Sequence, residues 1–315
     1  MIVIKYYYTD VETGELQKIE TLKPGSWIHL ENPKTEEVEE ISQMLGVKKS
    51  MLLSVIDNDE RPRIDEEGDC TMLLLDVPIT TNKKSKPIIT LPLGILVIRD
   101  DYIVTVSLQK YPILDSFIKG KVKEFYTYKK SRFVIQLIYQ IAISYLSILR
   151  IIDQKIEATE SKVLTATKNE ELLHLLALEN SLTYIITALR GNGVVLDKIL
   201  KGNVIQLFAE DEDLLEDAII ENNQAIDMAD LYRGILSSTT DTVATIISNN
   251  LNSIMKFLAG ITIVLSIPTM VASFMGMNVK LGFWSTNPFA FILLLLLSLL
   301  ISIIIAIILK KKNML

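Results

Sequence analysis

The sequence predicts an α/β cytoplasmic domain whose long helices continue into an α-helical membrane domain, with two transmembrane helices per subunit. Three observations predict it. Phe257 to Val279 and Pro288 to Leu309 hold no charged residue for about 23 and about 22 positions, each enough to cross a hydrocarbon core. No proline occurs between Pro112 and Pro268, and apolar residues there recur at helical spacing. The stretch before Pro112 instead carries β-branched and aromatic runs separated by turn residues. Composition agrees with a charged soluble part joined to a very apolar end: 315 residues, 49% apolar and 22% charged.

In chain order, residues 2–8 (IVIKYYY) read as a strand, with further short strands near 17–21 and 27–30. Asn32-Pro33 breaks the chain, and KTEEVEEISQML reads as a helix with acidic residues in its first turn, ended by Gly46. A short helix covers 49–56, and strands follow at 69–79, 88–98 and 102–107, with a turn at Asp100-Asp101. Residues 1–110 thus form the α/β domain. Residues 111–210 form a long-helix region, with helices at 130–165 and 169–198 and breaks near Gly120 and Gly191-Asn192-Gly193.

Residues 211–278 read as one helix, because Gly234 alone does not stop it; at 1.5 Å per residue it is roughly 100 Å long. Its last third, about 257–278, is the first transmembrane span. Pro268 inside that span frees a carbonyl and bends the helix, which is tolerable where neighbours or water satisfy the backbone. Residues 279–287 make a short external loop, 288–309 the second transmembrane helix, and 310–315 a basic tail. Lys310, Lys311 and Lys312 beside the second span, and Lys256 at the inner end of the first, put both termini in the cytoplasm of a cell bounded by this membrane.

Several function classes find no support. Net charge is −6, which gives no general case for nucleic acid. The one cysteine, Cys70, sits in an apolar run and reads as a small buried hydrophobe. His29 and His174 are far apart and read as structural or exposed. No catalytic triad, phosphate loop or dinucleotide glycine pattern is present, so neither an enzyme nor an organic cofactor is expected. The N-terminus has no basic region followed by an apolar core, so no cleaved signal peptide is expected.

The stretch that carries chemistry begins at Asp241. Steps of four and three give Asp241, Thr245, Ser248, Asn252, Met255, Ala259, Thr262, Ser266, Thr269, Ser273 and Gly276, one stripe of a helix that is small or polar everywhere except Met255. Within the span every hydroxyl belongs to it. Such a stripe can let membrane helices pack closely, its hydroxyls bonding back to their own carbonyls. It can equally face a shared axis in a symmetric ring of copies and make a wet path, with Asp241 at the inner mouth. Gly276-Met277-Asn278 ends it. Glycine permits a tight exit from the helix. A ring of Asn278 amide oxygens suits a small cation that sheds water reluctantly, as Mg²⁺ does.

This arrangement resembles the CorA family of magnesium channels: an α/β domain, long helices, two C-terminal spans, GMN after the first and a KKK tail. The resemblance covers essentially the whole chain, including Glu60-Arg61-Pro62-Arg63. It implies a homopentamer in the cytoplasmic membrane whose first-span helices line a central pore, passing Mg²⁺ inward with Co²⁺ and Ni²⁺ as further cargoes. Gly276, Met277 and Asn278 match the family's selectivity motif. Asp241, Asn252, Met255 and Leu258 match positions along its inner pore, and Thr269 a polar position nearer the outside. Leu258 lies one step off the stripe, and Ser266 stands where some relatives carry methionine.

The family also senses cytoplasmic Mg²⁺ at subunit interfaces. Asp217 falls at the long-helix position for this. Its usual acidic partner is replaced by Ser54, leaving Asp57, Asp59, Glu60 and Asp213 as candidates. The acidic run Glu210 to Asp213 would draw cations, or serve as a solvated helix start. The external loop, VKLGFWSTN, has one lysine and no carboxylate. Two rivals remain: a Zn²⁺ or Co²⁺ transporter of the same fold, which Met277 disfavours, and a membrane-anchored metal-sensing or structural protein, which has no need of a polar axis.

Overall fold

A computed structural model describes residues 4–81, 83, 87–98, 101–163, 169–202, 204–277 and 289–314. It resolves into two units, residues 1–240 and 241–315. In the first, the strands are β1 (Ile4–Thr9), β2 (Leu16–Ile19), β3 (Ser26–Glu31), β4 (Arg63–Glu67), β5 (Cys70–Thr80), β6 (Ile88–Ile98) and β7 (Tyr102–Ser107). They make one sheet in the order β2-β1-β3-β7-β6-β5-β4. Only β3 and β7 pair in parallel; the other neighbours are antiparallel.

The helices of this unit are α1 (Thr35–Leu45), α2 (Lys49–Ser54), α3 (Pro112–Ile118), α4 (Lys130–Val163), α5 (Asn169–Lys201) and the first part of α6 (Ala209–Met275). Val38, Ile41, Met51 and Leu52 of α1 and α2 pack against Ile28, Met72, Leu74, Leu96 and Val104 on one face of the sheet. α4 and α5 lie against β5, and α5 also meets β4 and β6. A sheet covered on both faces buries consecutive side chains, which is why Met72, Leu73, Leu74 and Leu75 run without alternation and are all at most 1% exposed. An aromatic cluster completes the core: Trp27 stands 5.1 Å from Phe133, which stands 4.5 Å from Phe125.

Strands at 88–98 and 102–107 fall where the sequence puts them. β4 and α3 are additions to the sequence reading. One expectation is corrected: Gly191-Asn192-Gly193 does not break the helix, and α5 runs through to Lys201. Gly191 is there for close approach, since a Cβ would lie 2.8 Å from Pro62 Cγ. Asn192 serves the sheet. Asp76 lies past the last β4–β5 pair, Arg63 with Leu74, so its backbone would have no strand partner on that side. Asn192 Oδ1 accepts from Asp76 N–H at 2.9 Å, and Asn192 Nδ2 donates to Asp76 C=O at 2.9 Å. Tyr145 Oη also donates to that carbonyl, at 3.1 Å.

The second unit holds the rest of α6 and α7 (Ala290–Lys311). α4, α6 and α7 are all long and apolar enough to cross a membrane, but most of the apolar stretch of α4 is buried inside the first unit, whereas those of α6 and α7 are largely exposed. α4 is therefore a core helix.

Candidate ion pathway and metal-sensing residues

The polar stripe falls on α6 and is helical throughout, from Asp241 to Ser273, with Gly276 in the turn that follows. Asp241, Thr245, Ser248, Asn252, Met255, Ala259, Thr262, Ser266, Thr269, Ser273 and Gly276 are all exposed in the single chain, as is Leu258. From Phe257 onward, the residues of α6 that are partly or fully covered are Gly260, Ile261, Val264, Ile267, Val271 and Met275. At about 100° per residue these lie on the side opposite the stripe. On α7 the covered side chains are Ala290, Leu294, Ser298, Ile301, Ser302, Ile305, Ala306 and Leu309. Ser302 Oγ reaches Val264 C=O at 3.5 Å. α7 thus covers the back of α6 and leaves the stripe bare.

Four of the stripe hydroxyls donate to their own helix: Thr245 to Asp241 C=O at 2.9 Å, Thr262 to Leu258 C=O at 2.8 Å, Ser266 to Ile263 C=O at 2.8 Å and Thr269 to Leu265 C=O at 3.1 Å. This is the local bonding the sequence allows. It spends the proton and leaves oxygen lone pairs outward, which suits a path for hydrated cations. At the end of α6, Gly276 N–H donates to Ala272 and Ser273 carbonyls, both at 3.1 Å. Its φ is not left-handed, and a Cβ would meet nothing closer than 3.5 Å. The backbone of one chain does not demand glycine there, so the tight-exit argument does not account for it. Met277 is exposed, and Asn278 and the loop to 287 lie outside the described residues.

The sensing candidates are distributed over the first unit. Asp213 and Asp217 lie exposed on α6, and Asp57 and Asp59 exposed after α2. Asp57 Oδ1 accepts from Asp59 N–H at 3.0 Å, and Glu60 is engaged by the Arg63 guanidinium. Ser54 Oγ donates to Met51 C=O at 2.8 Å. Among the described residues no three carboxylate, imidazole or thiol groups of one chain gather where an ion could sit. An ion on Asp217 would complete its shell with water or with groups of a second copy, and an exposed carboxylate is open to either.

The acidic helix start divides in two. Asp211 is 3% exposed and meets Arg132 Nη1 at 3.3 Å, while its neighbours Glu210, Glu212 and Asp213 are exposed. Arg132 also holds Glu124 at 2.5 Å, so it ties the start of α4 to the start of α6. His29 is structural as expected: its ring lies 3.0 Å from Thr105 Oγ1, and burial holds its pKa down at about 4. Cys70 is buried as expected, which pushes its thiol up to about 11.

The family described as CorA-like Mg2+ transporter protein matches residues 23–311. The cobalt/magnesium transport protein CorA of Methanocaldococcus jannaschii is 28% identical over 278 residues, 85% of this chain and 84% of that one. The complete structure of the CorA magnesium transporter from the same organism covers 100% of this chain and 99% of its own, with TM-score 0.82 at 24% identity. The structure of the soluble domain of CorA from that organism covers 76% of this chain and 96% of its own, with TM-score 0.66 at 27% identity.

Proposed function

The chain belongs to the CorA-like Mg2+ transporter family, and from that premise we propose that five copies form a channel passing Mg²⁺ inward across the cytoplasmic membrane. The observation that carries this is the bare stripe of α6, opposite the face that α7 covers. Five such stripes around one axis give a path lined by hydroxyl and amide oxygens, with Asp241 at its inner mouth. Gly276, Met277 and Asn278 form the selectivity filter at the outer end. Asn278 meets a hydrated ion with a neutral oxygen, which suits a cation that keeps its water. The membrane potential supplies about 2.3 kcal/mol per charge per 100 mV, hence roughly twice that for a divalent ion.

The working division is residues 1–110 and 111–210 in the cytoplasm, 211–278 the pore helix, 279–287 outside, 288–309 the second span and 310–315 inside. Regulation follows from Asp217 at the contact between copies, with Asp57, Asp59, Glu60 and Asp213 as partner candidates. Bound Mg²⁺ there cancels repulsion between acidic faces and holds a closed ring; its loss loosens the ring. Co²⁺ is a second cargo on this reading, supported by the name of the curated relative, a cobalt/magnesium transport protein. A membrane-anchored sensor is disfavoured because an anchor gains nothing from a bare polar stripe.

The test is Mg²⁺ uptake into liposomes holding the purified chain, beside Asn278→Ala. Uptake falls at least about tenfold in the variant if the amide ring replaces part of the ion's hydration; equal uptake removes Asn278 from the filter.

A further inference from the structure

Pro268 has no N–H, so the carbonyl four residues back, Val264 C=O, loses its helical donor in the middle of an apolar span. An unsatisfied backbone acceptor in lipid costs several kcal/mol if nothing replaces the donor. Around it, the carbonyls of Ile263 and Leu265 also take hydroxyls, from Ser266 and Thr269 of the stripe. Val264 points to the other side of α6, toward α7, where no stripe hydroxyl can reach. There Ser302 Oγ lies 3.5 Å from the freed oxygen. Ser302 is 9% exposed, with one proton to give. The neighbouring buried serine of α7, Ser298, spends its proton locally on Leu295 C=O at 2.9 Å. Ser302 alone of this pair crosses to the other helix.

We propose that Ser302 is a positioning residue that replaces the donor missing at Pro268, so that α7 fixes the course of the pore helix past the proline and keeps the stripe in line on both sides of it. The inference rests on the reading of α6 as pore-lining. Without the hydroxyl, Val264 C=O is orphaned, the helix is free to bend at Pro268, and the hydroxyls before and after it no longer share one axis.

The experiment is a double-mutant cycle on the full chain, read both as Mg²⁺ uptake into liposomes and as thermal midpoint in detergent. Ser302→Ala lowers uptake about threefold, the size expected for one hydrogen bond between membrane helices, and lowers the midpoint. Ser302→Thr, which keeps a hydroxyl, restores both. Pro268→Ala returns an N–H to Val264 C=O, so Ser302→Ala added to it changes neither readout. Pro268→Leu restores the same N–H and serves if the alanine variant does not assemble. An undiminished effect of Ser302→Ala on either background without proline overturns the proposal, as does a Ser302→Ala chain that matches wild type. If wild type conducts nothing, the pore reading falls, while the thermal cycle still decides whether Ser302 serves Val264.

Discussion

The two units use the same apolar side chains for opposite surroundings. In residues 1–240, Trp27, Tyr111, Phe117, Phe133 and Tyr145 are each under 2% exposed, enclosed by the chain itself. In residues 241–315, Phe257, Leu265, Phe274, Phe291 and Leu296 are each more than half exposed. An apolar surface of that extent is stable only where lipid or further copies replace water. The first unit finishes its own core, so substitutions there act on stability. The second leaves both its polar stripe and its apolar surface exposed in the single chain, so on the proposed pore reading substitutions on the stripe act on transport.

The largest test of that contrast is Trp27→Ala. It removes an indole packed on Phe125 and Phe133 and the donor to Thr105 Oγ1 at 2.8 Å. The expected loss is about 3–5 kcal/mol by denaturant unfolding. A loss under about 1 kcal/mol would mean the first unit does not hold itself together.

Next comes pH. Burial raises the Asp76 carboxyl to about 6, above its unfolded value, so the folded state holds an extra proton between about pH 4 and 6. Stability from this group is fully present below pH 4 and lost as pH rises to 6. His29 runs the other way. Its folded pKa near 4 lies below the unfolded value, so its stability is present above about pH 6.5 and lost as pH falls toward 4. The two oppose each other in one window. Asp76→Asn should therefore raise stability by about 2–3 kcal/mol at pH 8, and expose a steeper acid loss between pH 6.5 and 4. A pH profile of the thermal midpoint unchanged by the substitution would refute the buried charge.

Asn192→Ala comes third. It strips the Asp76 N–H of its partner while Tyr145 still serves the carbonyl, and should cost about 1–3 kcal/mol by thermal unfolding. Smallest in stability is Thr269→Val, within about 0.5 kcal/mol, because the hydroxyl is exposed and bonded only to its own helix. Mg²⁺ uptake should nonetheless fall severalfold. A variant that lost stability and kept uptake would invert the comparison.

What the sequence made legible followed periodicity. β6 and β7 were readable as apolar runs between turn signals, and α6 as a long reach without proline. The stripe could be read because its small residues interrupt an apolar background at helical steps. β4, RIDEE, was not readable, since a charged five-residue edge strand has no alternation to show. Gly191-Asn192-Gly193 looks like a break within its own stretch, while the partners that account for these residues, Pro62 and Asp76, lie more than a hundred residues away. The face that α7 turns to α6 was hidden because α7 is apolar all round. Arg132 gave no signal, because its partner Asp211 sits in an acidic run that reads as surface.

Asn192 has a wider consequence. By standing in for a strand beside Asp76, it takes up the backbone of one residue in the stretch of β5, residues 75–80, that β4 does not reach. The outer strands are short, with Lys18 on β2 and Arg63, Asp65, Glu66 and Glu67 on β4. Neither border of the sheet offers a long uncharged row of amides for a foreign strand to zip onto. On the proposed pentameric reading, identical chains can then be crowded together without trading strands.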